Sequence, residues 1–151
     1  GKVSAIENCN VKDYDAIIYP GGFGSAKNLC NYAIKGSEFD VFPDISRIIL
    51  SAHKLKLIQG FICIAPVMAA KLIPNVKLTV GNSGDTANHI EDLGAIHQPC
   101  SVSSTVYDDV NNVVSTPAYM VGPSIKDIGA GIQQLCETIY QKCHEKSKVT
   151  S

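Results

Sequence analysis

Charge of one sign, long apolar runs and paired cysteine motifs are what this 151-residue chain has little of. Lys and Arg number 13 against 14 Asp and Glu, a net charge of −1. Binding to nucleic acid or to an anionic membrane surface needs clustered cations. The one basic cluster, Lys142 to Lys148, is interrupted by Glu145 and reads as a solvated helix end. Neither nucleic acid nor membrane is therefore expected as a partner. The longest apolar runs, such as Phe61 to Ala65, fall far short of the roughly 20 residues that cross a bilayer. No signal-peptide pattern opens at Gly1, and a cytoplasmic protein is expected. Six cysteines (Cys9, Cys30, Cys63, Cys100, Cys136, Cys143) include no CxxC pair and are scattered through segments that read as strands and helices. That pattern favours reduced thiols in a reducing compartment over a disulfide framework. With four histidines at no ligand spacing, no zinc site and no metal are expected. Repeats, linkers and low-complexity stretches are absent too, so residues 1–151 read as a single domain.

Hydrophobic residues make up 45% of the sequence and charged ones 18%, ordinary values for a soluble globular domain. A chain of this size buries roughly two-thirds of its unfolded surface, which is enough for a real core. Asp15 to Tyr19 is a short, solidly apolar run followed at once by Pro20-Gly21-Gly22-Phe23-Gly24, a buried strand ending in a glycine turn. Ser25 to Ile34 has helical spacing with Ser25 placed to cap. Pro43-Asp44 opens a second helix whose apolar face is Ile45, Ile48, Ile49, Ala52 and Leu55. Leu57 to Cys63 reads as a strand and Ala65 to Leu72 as the helix after it, stopped by Pro74.

Val76 to Val80 alternates as a strand, and Asp85 to Leu93 reads as a short helix closed by Gly94. Ser101 to Tyr107 and Asn112 to Ser115 predict a hairpin. A final helix is expected from about Pro123 to Glu145, with Gly129 and Gly131 marking close packing on a sheet. Apolar strands alternating with helices call for an α/β fold, a mostly parallel sheet covered on both faces. Doubly wound sheets place their first strand at the centre. Here only the weak Val3 to Ile6 precedes the first strong strand, so the expectation is that N-terminal strands are missing before Gly1.

Two loops carry the candidate chemistry. Gly21 and Gly22 follow a buried strand, where ligands of such sheets bind, and glycine lets the backbone turn sharply with its N–H groups free. In Gly60-Phe61-Ile62-Cys63-Ile64-Ala65-Pro66 an apolar strand runs straight into a helix with a cysteine at the junction. A nucleophile at that bend is held clear of the sheet near a helix start, whose partial positive charge favours thiolate. A ligand-free turn and a buried filler cysteine are the alternative readings. If the two strands are neighbours, the Gly21, Gly22 and Ile64 amides converge on the Cys63 sulfur as donors for a developing oxyanion. Asp85, with Thr86, either caps a helix or faces the mouth of this site; Tyr119 either lines a pocket or packs. His53 and His89 read as solvated helix residues, His97 as entering a strand, and His144 as lying in the tail.

The stretches "DYDAIIYPGGFGSAKNL", "GFICIAPVMAAKLIP", "VGNSGDTANHIEDLGAIH" and "VVSTPAYM" together resemble the ElbB family, associated with lycopene and isoprenoid biosynthesis, of the PfpI-like superfamily of class I glutamine amidotransferase-like domains. The resemblance covers Gly1 to about Cys143 in matching order. It implies a flavodoxin-like fold, a homodimer, a reactive cysteine at Cys63 and a glycine loop at Gly21 and Gly22. It also implies a glyoxalase-like activity without a cofactor, in which a small 2-oxoaldehyde such as methylglyoxal or glyoxal becomes a hydroxy acid. The acidic residue that such proteins set against the cysteine is expected upstream of Gly1. Gly81-Asn82-Ser83-Gly84-Asp85 stands where amidotransferases and proteases carry a histidine, which disfavours their chemistry. A redox-sensing or partner-binding protein with an oxidisable Cys63, or an amidotransferase-like subunit, are the alternatives.

Overall fold

The computed structural model describes residues 3–82, 84–122 and 124–149. The expected helix start at Pro123, Ser83 and Gly1 lie outside them. The apolar run becomes β1 (Ala16–Tyr19), which enters the glycine turn and a short helix α1 (Phe23–Asn28). A second short helix α2 (Tyr32–Lys35) leads to α3 (Pro43–Lys54), β2 (Ile58–Ile62) and α4 (Pro66–Leu72). Then follow β3 (Lys77–Leu78), α5 (Asp85–Asp92), β4 (Ile96–His97), the hairpin β5 (Val106–Asp108) and β6 (Val113–Thr116), and α6 (Ile125–Val149).

The main sheet has the order β1-β2-β6-β5, with β1, β2 and β6 parallel and β5 antiparallel to β6. Alternate residues of β2 face opposite ways, as a period of two requires. Ile58 and Ile62 meet α6 through Leu135 and Ile139, while Phe61 joins the larger core with Ile49, Met68, Leu78 and Ile90. That core is covered by α3, whose Ile45, Ile48, Ile49 and Ala52 are all buried on the face the spacing predicts. Each such isoleucine contributes roughly 1.5–3 kcal/mol on full burial. Helices therefore cover both faces of a mixed, mostly parallel sheet, as the alternating pattern implies. Close packing explains a strand glycine: a Cβ on Gly60 would stand 2.8 Å from Ile139 Cδ1. Gly131 of α6 presses on the Val102 carbonyl in the same way, whereas Gly129 has open space around it.

β3 lies beside the hairpin without a ladder to it, and side chains do the joining. Lys77 N–H donates to Asp108 Oδ2 at 2.7 Å and Thr79 N–H to Ser115 Oγ at 2.9 Å, while Val80 N–H turns to His97 Nε2 of β4 at 3.3 Å. This is why the strand expected over Val76 to Val80 is regular only at Lys77–Leu78.

Four other expectations are corrected. The helix expected over Ser25 to Ile34 is two pieces, because Cys30 bridges Val41 and Asn31 is tied to Asp40 through both its N–H and its Oδ1. Gly22, not Ser25, sits at the start of α1, and the Ser25 hydroxyl reaches back to the Pro20 and Gly21 carbonyls. In place of the weak strand at Val3 to Ile6 there is a 3₁₀ turn, Ile6–Asn8. The first hairpin strand is shorter than expected, since Ser101 to Ser104 closes a turn of its own, and the second is shifted by one residue.

Candidate active site

Parallel pairing of β1 with β2, register Tyr19 to Phe61, brings the two exit loops together at one end of the sheet. Past Ile62 the chain turns at once: Cys63 has φ +63°, a left-handed conformation unusual for any residue with a Cβ. Holding it there costs of order 1–3 kcal/mol, so the surroundings must over-determine it. Cys63 N–H donates to the Thr116 carbonyl at the end of β6, 2.9 Å, and Ala65 N–H to the Ile62 carbonyl, 3.1 Å. On the other side stands Gly21, so close that a Cβ there would lie 2.4 Å from Cys63 Cβ and 2.6 Å from the Ile62 oxygen. Gly22 has φ +97°, open to glycine at no steric cost.

None of the described residues accepts a hydrogen bond from the Gly22 or Ile64 N–H. Both amides sit at the strand ends where Cys63 is half-buried. Cys63, Gly22 and Ile64 border one open hollow of about 320 Å³. Its other walls are Phe23, Ala26, Tyr32, Ala33 and Met120, almost wholly apolar. Phe23 stands 73% exposed at the rim.

Sequence spacing also singles out Asp85 and Tyr119, and neither lines this hollow. Asp85 is exposed in the first turn of α5, where a carboxylate suits the helix dipole but its side chain caps nothing. Tyr119 points away, 65% exposed, in a 3₁₀ turn that turns its neighbour Met120 inward instead.

Tyr32, which the sequence leaves unassigned, lines the hollow and meets His89 behind it. The Tyr32 hydroxyl lies 2.8 Å from His89 Nδ1, with Thr86 Oγ1 3.5 Å away. Its ring packs edge-on against buried Phe39, centroids 5.1 Å apart. His89 is thus a bonded, half-buried residue and not the solvated one expected. A separation of 57 residues hides the pair from any local pattern. His97 does enter a strand as its context suggests, and burial lowers its pKa, with Glu91 acting the opposite way.

All six cysteines are free thiols, and burial raises the Cys30 and Cys100 pKa values, opposed by weaker hydrogen bonds. Among the described residues no His, Cys, Asp and Glu gather at metal-binding distance, and no helix is long and apolar enough to cross a membrane.

No family model matches the chain. Over 150 residues it is 35% identical to the ES1 protein homolog, mitochondrial, of Rattus norvegicus, and 35% identical to the glutamine amidotransferase-like class 1 domain-containing protein 3, mitochondrial, of Homo sapiens. Each match covers 93% of this chain and 56% of the relative, so the chain spans about half the length of these curated relatives. Among solved structures, an isoprenoid biosynthesis protein with an amidotransferase-like domain from Ehrlichia chaffeensis superposes with a TM-score of 0.80 at 32% identity, over 90% of this chain and 62% of that one. Drosophila melanogaster DJ-1beta, at 17% identity and a TM-score of 0.57 over 93% of this chain and 66% of that one, shares the fold alone. The chain carries the flavodoxin-like fold of class I glutamine amidotransferase-like and DJ-1/PfpI-like domains.

Proposed function

We propose that this chain is an ElbB-like, cofactor-independent glyoxalase-like enzyme acting on small 2-oxoaldehydes such as methylglyoxal and glyoxal. The observation that carries the reading is Cys63 at positive φ, pinned between the Thr116 carbonyl and Gly21, with its thiol at an open hollow. The thiolate adds to the aldehyde carbon and forms a hemithioacetal. The oxygen that gains charge is received by the Gly22 and Ile64 amides, which have no other acceptor among the described residues, with Gly21 keeping the loop close. Oxidation at one carbon and reduction at its neighbour balance within the substrate, so no redox cofactor is required. Cys63→Ala should lower turnover of methylglyoxal at least roughly a thousandfold, since the covalent step has no substitute. Lactate formation by the variant at the wild-type rate would end the reading.

A second reading, a redox sensor, is favoured by the contrast between the half-exposed Cys63 and the buried Cys30. Intact-mass analysis after mild peroxide separates the two: oxidation confined to Cys63 without aldehyde turnover supports the sensor. An ammonia-supplying amidotransferase-like role is less well served, because among the described residues no histidine borders the hollow. Free thiols suit the reducing cytoplasm that we propose, although the rat and human relatives are named as mitochondrial. Exposed Phe23 and Ile34 near the site suit a homodimer.

A further inference from the structure

Apart from Cys63, Tyr32 is the one wall residue of the hollow whose side chain carries a polar group, and that group does not stand alone. Tyr32 borders the hollow with Cys63, and its hydroxyl is 2.8 Å from an imidazole nitrogen of His89. The two come from different helices, Tyr32 from the start of α2 and His89 from the middle of α5. Thr86, one turn before His89, takes a second, longer contact from the same hydroxyl. The Tyr32 ring is fixed by its edge contact with Phe39, so the oxygen is held in place by packing on one side and hydrogen bonds on the other.

A 2-oxoaldehyde isomerisation needs what the sulfur cannot supply, a group that takes a proton from one carbon and returns it to the next. A neutral tyrosine does this only if its own proton has somewhere to go. His89 Nδ1 provides that place. We propose that Tyr32 is the catalytic acid–base of the Cys63 site and that His89 is the positioning residue that takes and returns its proton. This rests on the glyoxalase-like reading above.

In the hemithioacetal on Cys63, whose first oxygen has taken one proton from solvent to become a hydroxyl, the C1–H bond breaks and its proton passes to the Tyr32 oxygen as the Tyr32 proton moves to His89. The C–H electron pair forms the C1–C2 double bond of an enediolate, and the former ketone pair moves to its oxygen. The relay then returns one proton to C2, the hydroxyl proton on the first oxygen ends on the second, and a thioester remains. Water attacks that thioester and expels the Cys63 thiolate, leaving a 2-hydroxy acid. C1 has been oxidised, C2 reduced, and one water consumed.

Tyr32→Phe keeps the ring against Phe39 and removes only the hydroxyl. It should lower kcat on methylglyoxal roughly 100-fold with KM little changed, while iodoacetamide alkylates Cys63 at the wild-type rate. His89→Asn offers Tyr32 a hydrogen-bond partner that takes up no proton. Its kcat should fall as far as that of His89→Ala, and imidazole should restore turnover to the alanine variant; a merely structural histidine would let asparagine keep the wild-type rate. Turnover by Tyr32→Phe within twofold of wild type overturns the relay and leaves the glyoxalase-like reading standing. If the wild-type chain turns over no 2-oxoaldehyde, both are overturned together. Should Tyr32→Phe disturb the fold, seen as slowed alkylation, His89→Asn decides alone, and wild-type kcat in that variant overturns the relay.

Discussion

Two regions of this sheet treat their backbone amides in opposite ways. At β3 and the hairpin, backbone donors are taken up by side chains. Asp108 alone accepts from the Lys77, Val110 and Asn111 amides and from Asn111 Nδ2, at 2.7, 3.0, 3.0 and 2.8 Å. At the exits of β1 and β2 the reverse holds: Gly22 and Ile64 N–H groups have no acceptor among the described residues, and the cysteine between them sits at a strained φ. A buried polar group without a partner costs about 1–3 kcal/mol, so a fold leaves donors open only where solvent or a ligand reaches them. Gly22 is exposed and Ile64 half-buried, which meets that condition. The Asp108 cluster serves stability, and the Cys63 turn gives up stability for reach.

The sharpest way to break this contrast is to close the gap at the elbow. Gly21→Ala places a methyl 2.4 Å from Cys63 Cβ and 2.6 Å from a backbone oxygen that has no flexible end to move. Either the loop or the cysteine must shift by the better part of an ångström. A displacement of that size costs roughly 100-fold in rate, and overpacking costs about 1–3 kcal/mol in stability. Aldehyde turnover and iodoacetamide alkylation of Cys63 should both fall. A Gly21→Ala variant whose Cys63 is alkylated at the wild-type rate would mean that the two loops need not touch.

Asp108→Ala tests the other region, where the effect should appear in stability and leave Cys63 reactivity alone. Three backbone donors lose their acceptor at about 1 kcal/mol or more each, so a loss of roughly 2–4 kcal/mol is expected, or on the order of 5–10 °C in Tm. The pH dependence carries a second signature. Burial alone would raise the Asp108 pKa, but Asn111 and the three amides outweigh it and hold the carboxyl below its ordinary value. Its stabilisation is therefore fully present above the unfolded pKa of about 3.9 and is lost as pH falls through the lower folded value. Thermal melts of Asp108→Ala should show a flatter acid limb than wild type below about pH 4.

Legibility in the sequence follows the same division. Period and length alone locate β1, β2, α3 and the two exit loops, because each is determined by its own residues: an apolar run, a proline start, a glycine turn. Cys63 at the strand-to-helix junction is legible for that reason. The break at Asn31 is not, since it depends on Asp40 nine residues on. The shortness of β3 depends on Asp108, Ser115 and His97, all distant in sequence. Tyr119 draws attention by its place after a strand, yet the turn at Ala118, φ +45°, sends Met120 to the hollow instead. Tyr32 and His89 lie on different helices, and only tertiary packing joins them.

His97 offers the finest test, because it belongs to the satisfied region by geometry yet carries a titratable ring. Its Nε2 accepts from Val80 N–H at the exit of β3, as Asp108 accepts from Lys77 at the entry. A neutral imidazole nitrogen accepts that bond, and a protonated one cannot. Burial holds the His97 pKa below its ordinary value, with Glu91 pulling weakly the other way. The unfolded chain takes up the proton near pH 6.5 while the folded chain resists it. Stability is thus full above that pH and declines as pH falls through the folded pKa. His97→Gln keeps an acceptor for Val80 that does not titrate, so its Tm should match wild type at pH 8 and fall less between pH 7 and 5. Chemical denaturation of both proteins across that window measures the difference, the smallest of the three. If the two curves run parallel, the strand exit at Val80 is held by something other than the imidazole, and side-chain capping of β3 extends only to Lys77 and Thr79.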